Sequence, residues 1–359
     1  MTDLPKIAFI STPTNPPCGI GQYNADLVDS LHDKIEAKAF FEGLYWKRGT
    51  PLGKLAHEVL QWNPDLIHIQ HAYGFFFLIP EFISFLQLIK DKPVVITMHE
   101  IPTYEHQLWY NDAKATFIFP HNQSYGHIKS KFGFNNKYAI IPHGSTLFEI
   151  IPKDLAIEKL NLPKDRIILT QCGFYSFGKG MKELVEAVSL LKKEFNPLLV
   201  FAGGIHPLAI EEDRRFLKKT MAAIVSLGLQ QNVLFTGKHL SEDELNLWIS
   251  ASDILILNHQ LVYPAISSSA IGKRIIASGK PAIFGDDPRL SDFKDMETCL
   301  KVKSNNPSDI ADKIRMLINN KELQETLGEN AKEFAYQTRW EEVGQLHLNL
   351  YRRLINETI

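Results

Sequence analysis

A single lysine stands among glycines at a point where a strand pattern gives way to a helix pattern. Lys179 lies between Gly178 and Gly180, and Gly173 comes shortly after the apolar run 167–171. Glycines allow positive φ and close approach to a ligand, and the free amides at a helix start favour anions. The segment therefore predicts a site for a phosphate or diphosphate. A solvated surface turn is the ordinary alternative, because the spacing matches neither the P-loop nor the dinucleotide fingerprint.

Short apolar runs alternate with helical patterns along the chain, and these elements must position the lysine turn. Continuously apolar strands separated by helices predict parallel sheets that are covered on both faces. The predicted strands are residues 7–10, 36–40, 65–69, 94–98, 117–119, 138–141, 167–171, 198–202, 233–235, 254–257 and 281–284. The predicted helices are residues 23–31, 55–62, 80–89, 182–195, 211–227, 242–251, 268–278 and 309–319.

The alternation of strands and helices occurs in two halves, separated by the polar stretch 152–163. We therefore predict an α/β protein with two doubly wound, Rossmann-like domains, over residues 1–155 and 164–335, that face a central cleft. A further helical pattern covers residues 336–359. Ligands of doubly wound sheets bind beyond the carboxyl ends of the strands, so the cleft is the expected site.

The composition excludes several classes of protein. The chain has 359 residues and a formal net charge of −2, which gives no reason to expect a nucleic-acid partner. The widely spaced Cys18, Cys172 and Cys299 form neither a metal-ligand pair nor an even set of disulfides, so a cytoplasmic setting is simplest. The N-terminal pattern is that of a strand and not of a signal peptide. The longest apolar run, 74–89, is interrupted by a proline and a glutamate, so no membrane span is predicted.

Several motifs occur in an order and spacing that resemble one enzyme family. In the second half they are GFYSFGKGMKELVEAVSLLKK (173–193), LLVFAGG (198–204), NVLFTGKHLSEDELNLWISASDILIL (232–257) and ASGKPAIFGD (277–286). In the first half they are KIAFIST, PPCGIGQYN, DLIHIQH, VVITMHE and IPHG. Together they resemble glycosyltransferase family 4 over nearly the whole chain. The resemblance implies the GT-B fold and retaining, metal-independent transfer of a hexose from a UDP- or GDP-sugar, without a cofactor.

The resemblance also implies roles for individual residues. Lys179 would reach the donor pyrophosphate, with Gly173 and Gly180 beside it, because cations and amides must stabilise the leaving group where no metal does so. The loop with Gly19 and Gly21 would approach phosphate or acceptor, although simple turn geometry explains these glycines equally well. The N-terminal domain would bind the acceptor and the C-terminal domain the nucleotide sugar. The last helix would cross back to the first domain.

Histidines follow two of the predicted strands in the first half. His99 comes directly after the strand VVITM, and the resemblance implies that it contacts the donor hexose. A lone histidine at a strand end otherwise makes a structural hydrogen bond. His71 and Tyr73 follow the preceding strand and are candidates for the acceptor side, whereas we expect His68 to be partly buried. None of the histidines has zinc-type spacing, so we predict no metal site.

The predicted donor site departs from the family pattern. The usual pair of glutamates would fall on Ile266 and Arg274, and an arginine cannot accept a hydrogen bond. Phe174 stands where many members have an arginine. Arg274 or Lys273 could replace a lost charge. Three serines could offer hydroxyls and helix-start amides to phosphate, or could simply cap the helix: Ser267, Ser268 and Ser269.

Three functions fit these observations. The favoured one is a retaining glycosyltransferase of polysaccharide, glycolipid or glycoprotein biosynthesis, with a saccharide, lipid-linked or protein acceptor. The second is a non-catalytic relative that binds a nucleotide sugar or a partner glycosyltransferase. The third is a nucleotide-sugar epimerase, for which Asp286 and Asp287 are candidate carboxylates, although paired acids in loops are usually solvated.

The aromatic patch 74–79 bears on where such an enzyme would work. The patch is close to the predicted acceptor side. It could contact the inner face of a membrane and receive a lipid-linked acceptor there. Packing in the core is the ordinary alternative for so apolar a segment.

Overall fold

The computed structural model describes most of the chain, namely residues 4–15, 18–40, 52–73, 76, 79–101, 109–206, 209–260 and 268–357. These residues form two compact units. The first unit takes its residues from Met1–Gly144, Pro264–Ala270 and Thr338–Ile359, and the second from Ser145–Tyr263 and Ile271–Gln337. No helix among the described residues is long and apolar enough to cross a membrane.

The first unit is built on a six-stranded parallel sheet with the strand order β2-β1-β3-β4-β5-β6. Its strands are β1 (Lys6–Ile10), β2 (Glu36–Phe40), β3 (Leu66–His71), β4 (Val94–Met98), β5 (Thr116–Phe119) and β6 (Tyr138–Ile140). The helices described between these strands are α1 (Gly19–Ser30), α2 (Leu52–Gln61), α3 (Ile79–Leu88) and α4 (Asn122–Phe132). Alternate residues of β1 enter two different apolar clusters, so both faces of the sheet are covered.

The second unit is built on another six-stranded parallel sheet, with the strand order β12-β11-β10-β7-β8-β9. Its strands are β7 (Ile168–Cys172), β8 (Leu198–Ala202), β9 (Val233–Phe235), β10 (Ile254–Leu257), β11 (Ala282–Gly285) and β12 (Leu300–Val302). The accompanying helices are α5 (Lys153–Lys159), α6 (Met181–Phe195), α7 (Glu211–Ser226), α8 (Glu242–Ala251), α9 (Ala270–Ala277), α10 (Pro307–Asn319) and α11 (Lys321–Gln337). Read from its far edge, this is the strand order of a Rossmann fold, which reverses between β7 and β10.

The last helix, α12 (Trp340–Asn356), belongs to the first unit. Its apolar residues recur at helical spacing and pack with β1 and α1 in one buried cluster. Tyr351 is fully buried, and its hydroxyl lies 2.7 Å from Nδ1 of His68 on β3. The far end of the described chain therefore completes the core of the first unit.

Helices are the main difference between the sequence patterns and the structure. The stretch 152–163, predicted as a linker, contains α5, whose Ala156 and Ile157 are buried in the second unit. Two further helices, α4 and α11, were not predicted because they bury few large apolar residues. The short strand β12 was also missed. Of the aromatic patch 74–79, only Phe76 and Ile79 lie within the described residues, and Phe76 is buried in the core.

Candidate functional site

The best-supported site of the second unit lies where the strand order reverses. Strands β7 and β10 are neighbours in the sheet. After β7 the chain continues to β8 on one side of this point, and after β10 it continues to β11 on the other side. A crevice forms at such a reversal in doubly wound sheets, at the carboxyl ends of the strands. The loop after β7 carries Lys179, and the loop after β10 carries Asn258, His259 and Gln260.

The lysine turn has the backbone geometry that its glycines predict. Gly178 and Gly180 have φ values of +82° and +58°. A Cβ atom on Gly180 would lie 2.3 Å from Nδ2 of Asn258, so a glycine is required there for space as well as conformation. The side-chain amide of Asn258 donates to the carbonyl oxygen of Gly180 at 2.9 Å. The backbone amide of Gln260 donates to the carbonyl oxygen of Gly178 at 2.8 Å. The two loops are therefore held together by hydrogen bonds.

Helix α6 begins directly after this turn. Met181, Leu184, Val185 and Val188 are buried at helical spacing, which anchors the first two turns of the helix on the sheet. Gly180 is the N-cap residue and provides no side-chain cap. The first amides of the helix are thus placed beside Lys179, where they favour an anion.

Lys179 is a partly buried cation whose described hydrogen-bond partner is a histidine. Its Nζ lies 2.7 Å from Nε2 of His259, which is only 2% exposed. Burial and the charges of Lys179 and Arg289 hold the pKa of His259 well below its usual range, so its neutral ring accepts the hydrogen bond. Burial, followed by the charge of Arg289, lowers the pKa of Lys179 to about 7, and the charge of Asp287 opposes this shift. Among the described residues no carboxylate forms an ion pair with Lys179, which leaves its charge available to an anionic ligand.

A second cation, Arg289, lies at the same loops. Its Nε and Nη2 donate to the two carboxylate oxygens of Asp287 at 2.7 and 2.9 Å, and Nη2 also lies 3.2 Å from the carbonyl oxygen of Gln260. Asp287 is 3% exposed, so the expectation of a solvated acid is wrong at this position. Asp286 is exposed, as expected, and it accepts a hydrogen bond from the Ser304 hydroxyl at 3.0 Å. Neither acid is placed as a free carboxylate.

The first unit contains a separate small cavity next to His99. The cavity has a volume of about 20 Å³, which is room for about one water molecule, and Tyr23, Thr97, His143 and Ser268 contribute to its lining. Nε2 of His99 lies 2.8 Å from Oε1 of Gln70. Burial, followed by the neighbouring histidines, lowers the pKa of His99 to about 3, so the ring is neutral at physiological pH. A neutral imidazole suits hydrogen bonding to a hydroxyl.

His68 and His71 lie inside the core of the first unit. His71 is fully buried against aromatic rings, including Phe76 in a stacked contact at 5.4 Å, and burial lowers its pKa to about 3. The backbone amide of Tyr73 donates to Glu100 at 2.9 Å. His68 is 0% exposed and bonds to Tyr351 and Thr97, so the prediction that it is partly buried is wrong. The aromatic surroundings of His71 keep it from solvent in this structure.

The predicted glycines and serines are placed as follows. Gly21 is buried in α1, where a Cβ would lie 2.3 Å from the carbonyl oxygen of Pro13, whereas Gly19 has open space around it. Gly173 has a φ of +109° and also has open space. Ser268 lines the cavity of the first unit, and Ser269, 7% exposed, precedes α9. Ser267 and Ile266 lie outside the described residues.

Arg274 takes part in an internal ion pair instead of presenting a free charge. Its Nη2 lies 3.0 Å from Oε2 of Glu242, and its guanidinium lies over the ring of Phe148. Its neighbour Lys273 is buried against Asp292 at 3.1 Å and against the ring of Phe334. The position that carries a glutamate in the resembled family therefore contributes to packing on α8 and α9.

Three residues of these sites were not identified from the sequence: His259, Arg289 and Gln70. His259 and Gln70 lie at or just beyond the carboxyl ends of predicted strands, and that position was a usable signal. Arg289 had no such signal, because it follows β11 in a short 3-10 turn. The described residues contain no cluster of three His, Cys, Asp or Glu side chains that could hold a metal ion; metal independence stays a prediction.

Comparison with known proteins places the chain in a family. The family model for glycosyl transferases group 1 matches residues 152–334. An uncharacterized glycosyltransferase of Methanocaldococcus jannaschii is 26% identical over 314 residues, which cover 86% of this chain and 73% of that protein. The N,N'-diacetylbacillosaminyl-diphospho-undecaprenol alpha-1,3-N-acetylgalactosaminyltransferase of Campylobacter jejuni is 27% identical over 259 residues, which cover 67% of this chain and 63% of that protein.

Solved structures agree on the fold. The crystal structure of Anabaena HepE in complex with UDP and glucose is similar with a TM-score of 0.75 at 16% identity, covering 96% of this chain and 99% of that one. The strand orders, the lysine turn and the match of the family model over about half of the chain lead to one conclusion: the protein is a member of the glycosyl transferases group 1 family and has the GT-B type of two-domain α/β fold.

Proposed function

We propose that the protein is a retaining glycosyltransferase that transfers a hexose from a nucleoside diphosphate sugar to a saccharide, lipid-linked or protein acceptor. The observation that carries the proposal is Lys179. It is a partly buried lysine at the switch point of the second sheet, a neutral histidine holds it, and no described carboxylate forms an ion pair with it. A diphosphate supplies the negative charge that such a site lacks.

The names of similar proteins support both substrates of the proposed reaction. HepE is described in complex with UDP and glucose, which is a nucleotide and a hexose. The Campylobacter relative is named for transfer to a sugar on diphospho-undecaprenol. We therefore propose a UDP- or GDP-hexose as donor and a saccharide on a lipid diphosphate as the first acceptor to test.

The residues of the second unit suit departure of the leaving group. When the bond between the anomeric carbon and the diphosphate oxygen breaks, its electron pair stays on the diphosphate. The Lys179 ammonium and the first amides of α6 would stabilise this charge in a site with little water, where such interactions are strong. The acceptor oxygen forms the new glycosidic bond, and its proton leaves with the diphosphate.

In the first unit, His99 is proposed to hold a hydroxyl of the hexose. Its Nε2 is engaged by Gln70, so the other ring nitrogen, Nδ1, is the one left for a hydroxyl. Its low pKa keeps the ring neutral, and such a ring orients a hydroxyl without adding a charge. This role is one of binding and positioning.

A non-catalytic relative is the second candidate, and Arg274 is the observation that favours it. The residue cannot accept a hydrogen bond from a ribose, and its charge is already paired with Glu242 at 3.0 Å. A protein that keeps the lysine turn but lacks this acceptor would bind a nucleotide sugar without turning it over.

An acceptor-dependence assay tests the proposal against this alternative. The protein is incubated with UDP-glucose or GDP-mannose, with and without an oligosaccharide on undecaprenyl diphosphate, and the released nucleotide is measured. Release only with the acceptor supports the transferase. Binding of the nucleotide sugar without release in either condition supports the non-catalytic relative, and release without acceptor indicates a hydrolase.

Nucleotide affinity is expected to fall as the pH rises above neutrality. The pKa of Lys179 is lowered to about 7, so the ammonium is lost above that pH in the free protein. A bound diphosphate favours the ammonium and raises this pKa, hence binding takes up a proton. The Kd should rise by up to about tenfold per pH unit between the free and bound pKa values.

Calorimetry of UDP and GDP binding between pH 6 and 9, in buffers of different ionisation enthalpy, measures both the affinity and the proton uptake. A Lys179→Arg variant is the control, because arginine stays charged throughout this range and should flatten the profile. A wild-type affinity that does not change with pH would contradict the assignment of Lys179.

A further inference from the structure

The segment after β10 connects two cations of the second unit. His259 contacts Nζ of Lys179 at 2.7 Å, and the carbonyl oxygen of the next residue, Gln260, lies 3.2 Å from Nη2 of Arg289. The backbone amide of Gln260 donates to Gly178, beside Lys179. Two consecutive residues therefore fix both cations at the carboxyl end of one strand. In accordance with this proximity, the charge of Arg289 lowers the pKa of Lys179.

We propose that Arg289 is the second cation of the diphosphate site, so that Lys179 and Arg289 together bind the donor's two phosphoryl groups. The inference rests on the proposed function, because it assumes that the diphosphate binds at Lys179. It assigns a donor-binding role to a residue outside the glycine–lysine turn.

The orientation of the Arg289 guanidinium suits this role. Asp287 holds Nε and Nη2 in a two-point contact, and its carboxylate also accepts the backbone amide of Arg289 at 2.8 Å. The side chain of Asp287 is 0% exposed, whereas that of Arg289 is 29% exposed. The edge of the guanidinium that includes Nη1 therefore faces away from Asp287. Nη1 donates no hydrogen bond to any residue of the described chain.

The diphosphate gives a reason for a second donor, which Arg289 can be through Nη1 even though its charge is paired with Asp287. A nucleoside diphosphate carries more negative charge than a single ammonium can neutralise. Phe174, at the start of the same loop as Lys179, is uncharged and packs against the rings of His206 and His239. A planar guanidinium held at one edge can donate to phosphate oxygens in a fixed geometry, which a flexible lysine cannot do.

The experiment compares ligands that differ by one phosphate. The affinities of UDP, UMP, GDP, GMP and inorganic pyrophosphate are measured by calorimetry for the wild type, Arg289→Ala and Lys179→Ala. We expect Arg289→Ala to weaken the binding of the diphosphates and pyrophosphate by about 10- to 100-fold, which is the effect of losing one charged hydrogen bond. Binding of the monophosphates should weaken by much less. Arg315→Ala is the matched control, because Arg315 is also paired with acids of the second unit, Glu194 and Asp312.

A second variant guards against misfolding. Removing Arg289 alone leaves the buried Asp287 carboxylate without its partner, which is destabilising. The pair Arg289→Ala with Asp287→Asn removes both charges, and it should fold and show the same selective loss of diphosphate affinity. Arg289→Lys should recover part of that loss.

The outcomes distinguish a failure of the Arg289 inference from a failure of the proposed function. If Lys179→Ala weakens diphosphate binding but neither Arg289 variant does, the inference is wrong and the proposed function stands. Equal losses for mono- and diphosphates in the folded Arg289 variants would show a purely structural role and would also overturn it. If the wild type binds no diphosphate, both the inference and the proposed function fail.

Discussion

Replacement of Lys179 by alanine is expected to lower kcat/KM by about 10²- to 10³-fold, the loss found when one donor to a developing negative charge is removed. The lysine is partly buried, its charge forms no ion pair with any described carboxylate, and it lies beside the first amides of α6. An interaction in such a low-dielectric site is stronger than one at the surface. The thermal stabilisation of the protein by UDP or GDP should disappear in the same variant, because stabilisation requires binding to the folded state.

Lys182→Ala provides the matched control for this prediction. It removes the same charge three residues later, from a side chain that is largely engaged with Glu186 through a salt bridge at 2.6 Å. The control should keep both the nucleotide-induced shift of Tm and the activity. If Lys179→Ala retained a wild-type shift of Tm, the diphosphate could not be bound where we place it.

Replacement of Gly180 by alanine should destabilise the second unit by about 2–5 kcal/mol, the sum of a left-handed conformation and overpacking. The residue has a φ of +58°, and the new Cβ would lie 2.3 Å from Nδ2 and 2.4 Å from the carbonyl oxygen of Asn258. Asn258 is itself fixed by hydrogen bonds to Gly180 and Ser304, so it has little freedom to move away. The Tm of the unit should fall by on the order of 10 °C.

Two other glycines separate the causes of this loss. Gly173→Ala tests backbone strain alone, since its φ is +109° but nothing lies within 4 Å of the added Cβ. Gly19→Ala is the control without backbone strain or a new contact, because Gly19 has open space around it and lies in the first turn of α1. The order of destabilisation should be Gly180, then Gly173, then Gly19. An equally small loss for all three would mean that Asn258 relaxes freely.

The sheets could be predicted well because parallel strands are buried on both faces and are therefore apolar along their whole length. Five of the predicted strands, such as 94–98 and 254–257, have the observed bounds. The lysine turn could be predicted for a related reason, since a positive φ beside a helix start leaves glycines in the sequence. Helices α4 and α11 were missed because they are largely solvated, and their sequences show little apolar periodicity.

The partners of Lys179 show where sequence reasoning stops. His259 is 80 residues away along the chain, and Arg289 lies another 30 residues further. They come together because β10 is the sheet neighbour of β7 and β11 is the neighbour of β10. Strand order of this kind depends on the packing of the whole unit, so no local pattern reveals it. Burial of His68 was underestimated for the same reason, because its partner Tyr351 lies on α12.

The discontinuous make-up of the first unit has a consequence for biosynthesis. Ile7 and Phe9 emerge from the ribosome early, yet the residues that cover them include Val343, Tyr351 and Leu354. More than three hundred residues must be translated before this core can close. The second unit, whose residues all precede Thr338, does not need α12 for its own core, whereas the first sheet lacks this cover until α12 is made. Until then, this apolar face of the nascent chain is open to non-native contacts.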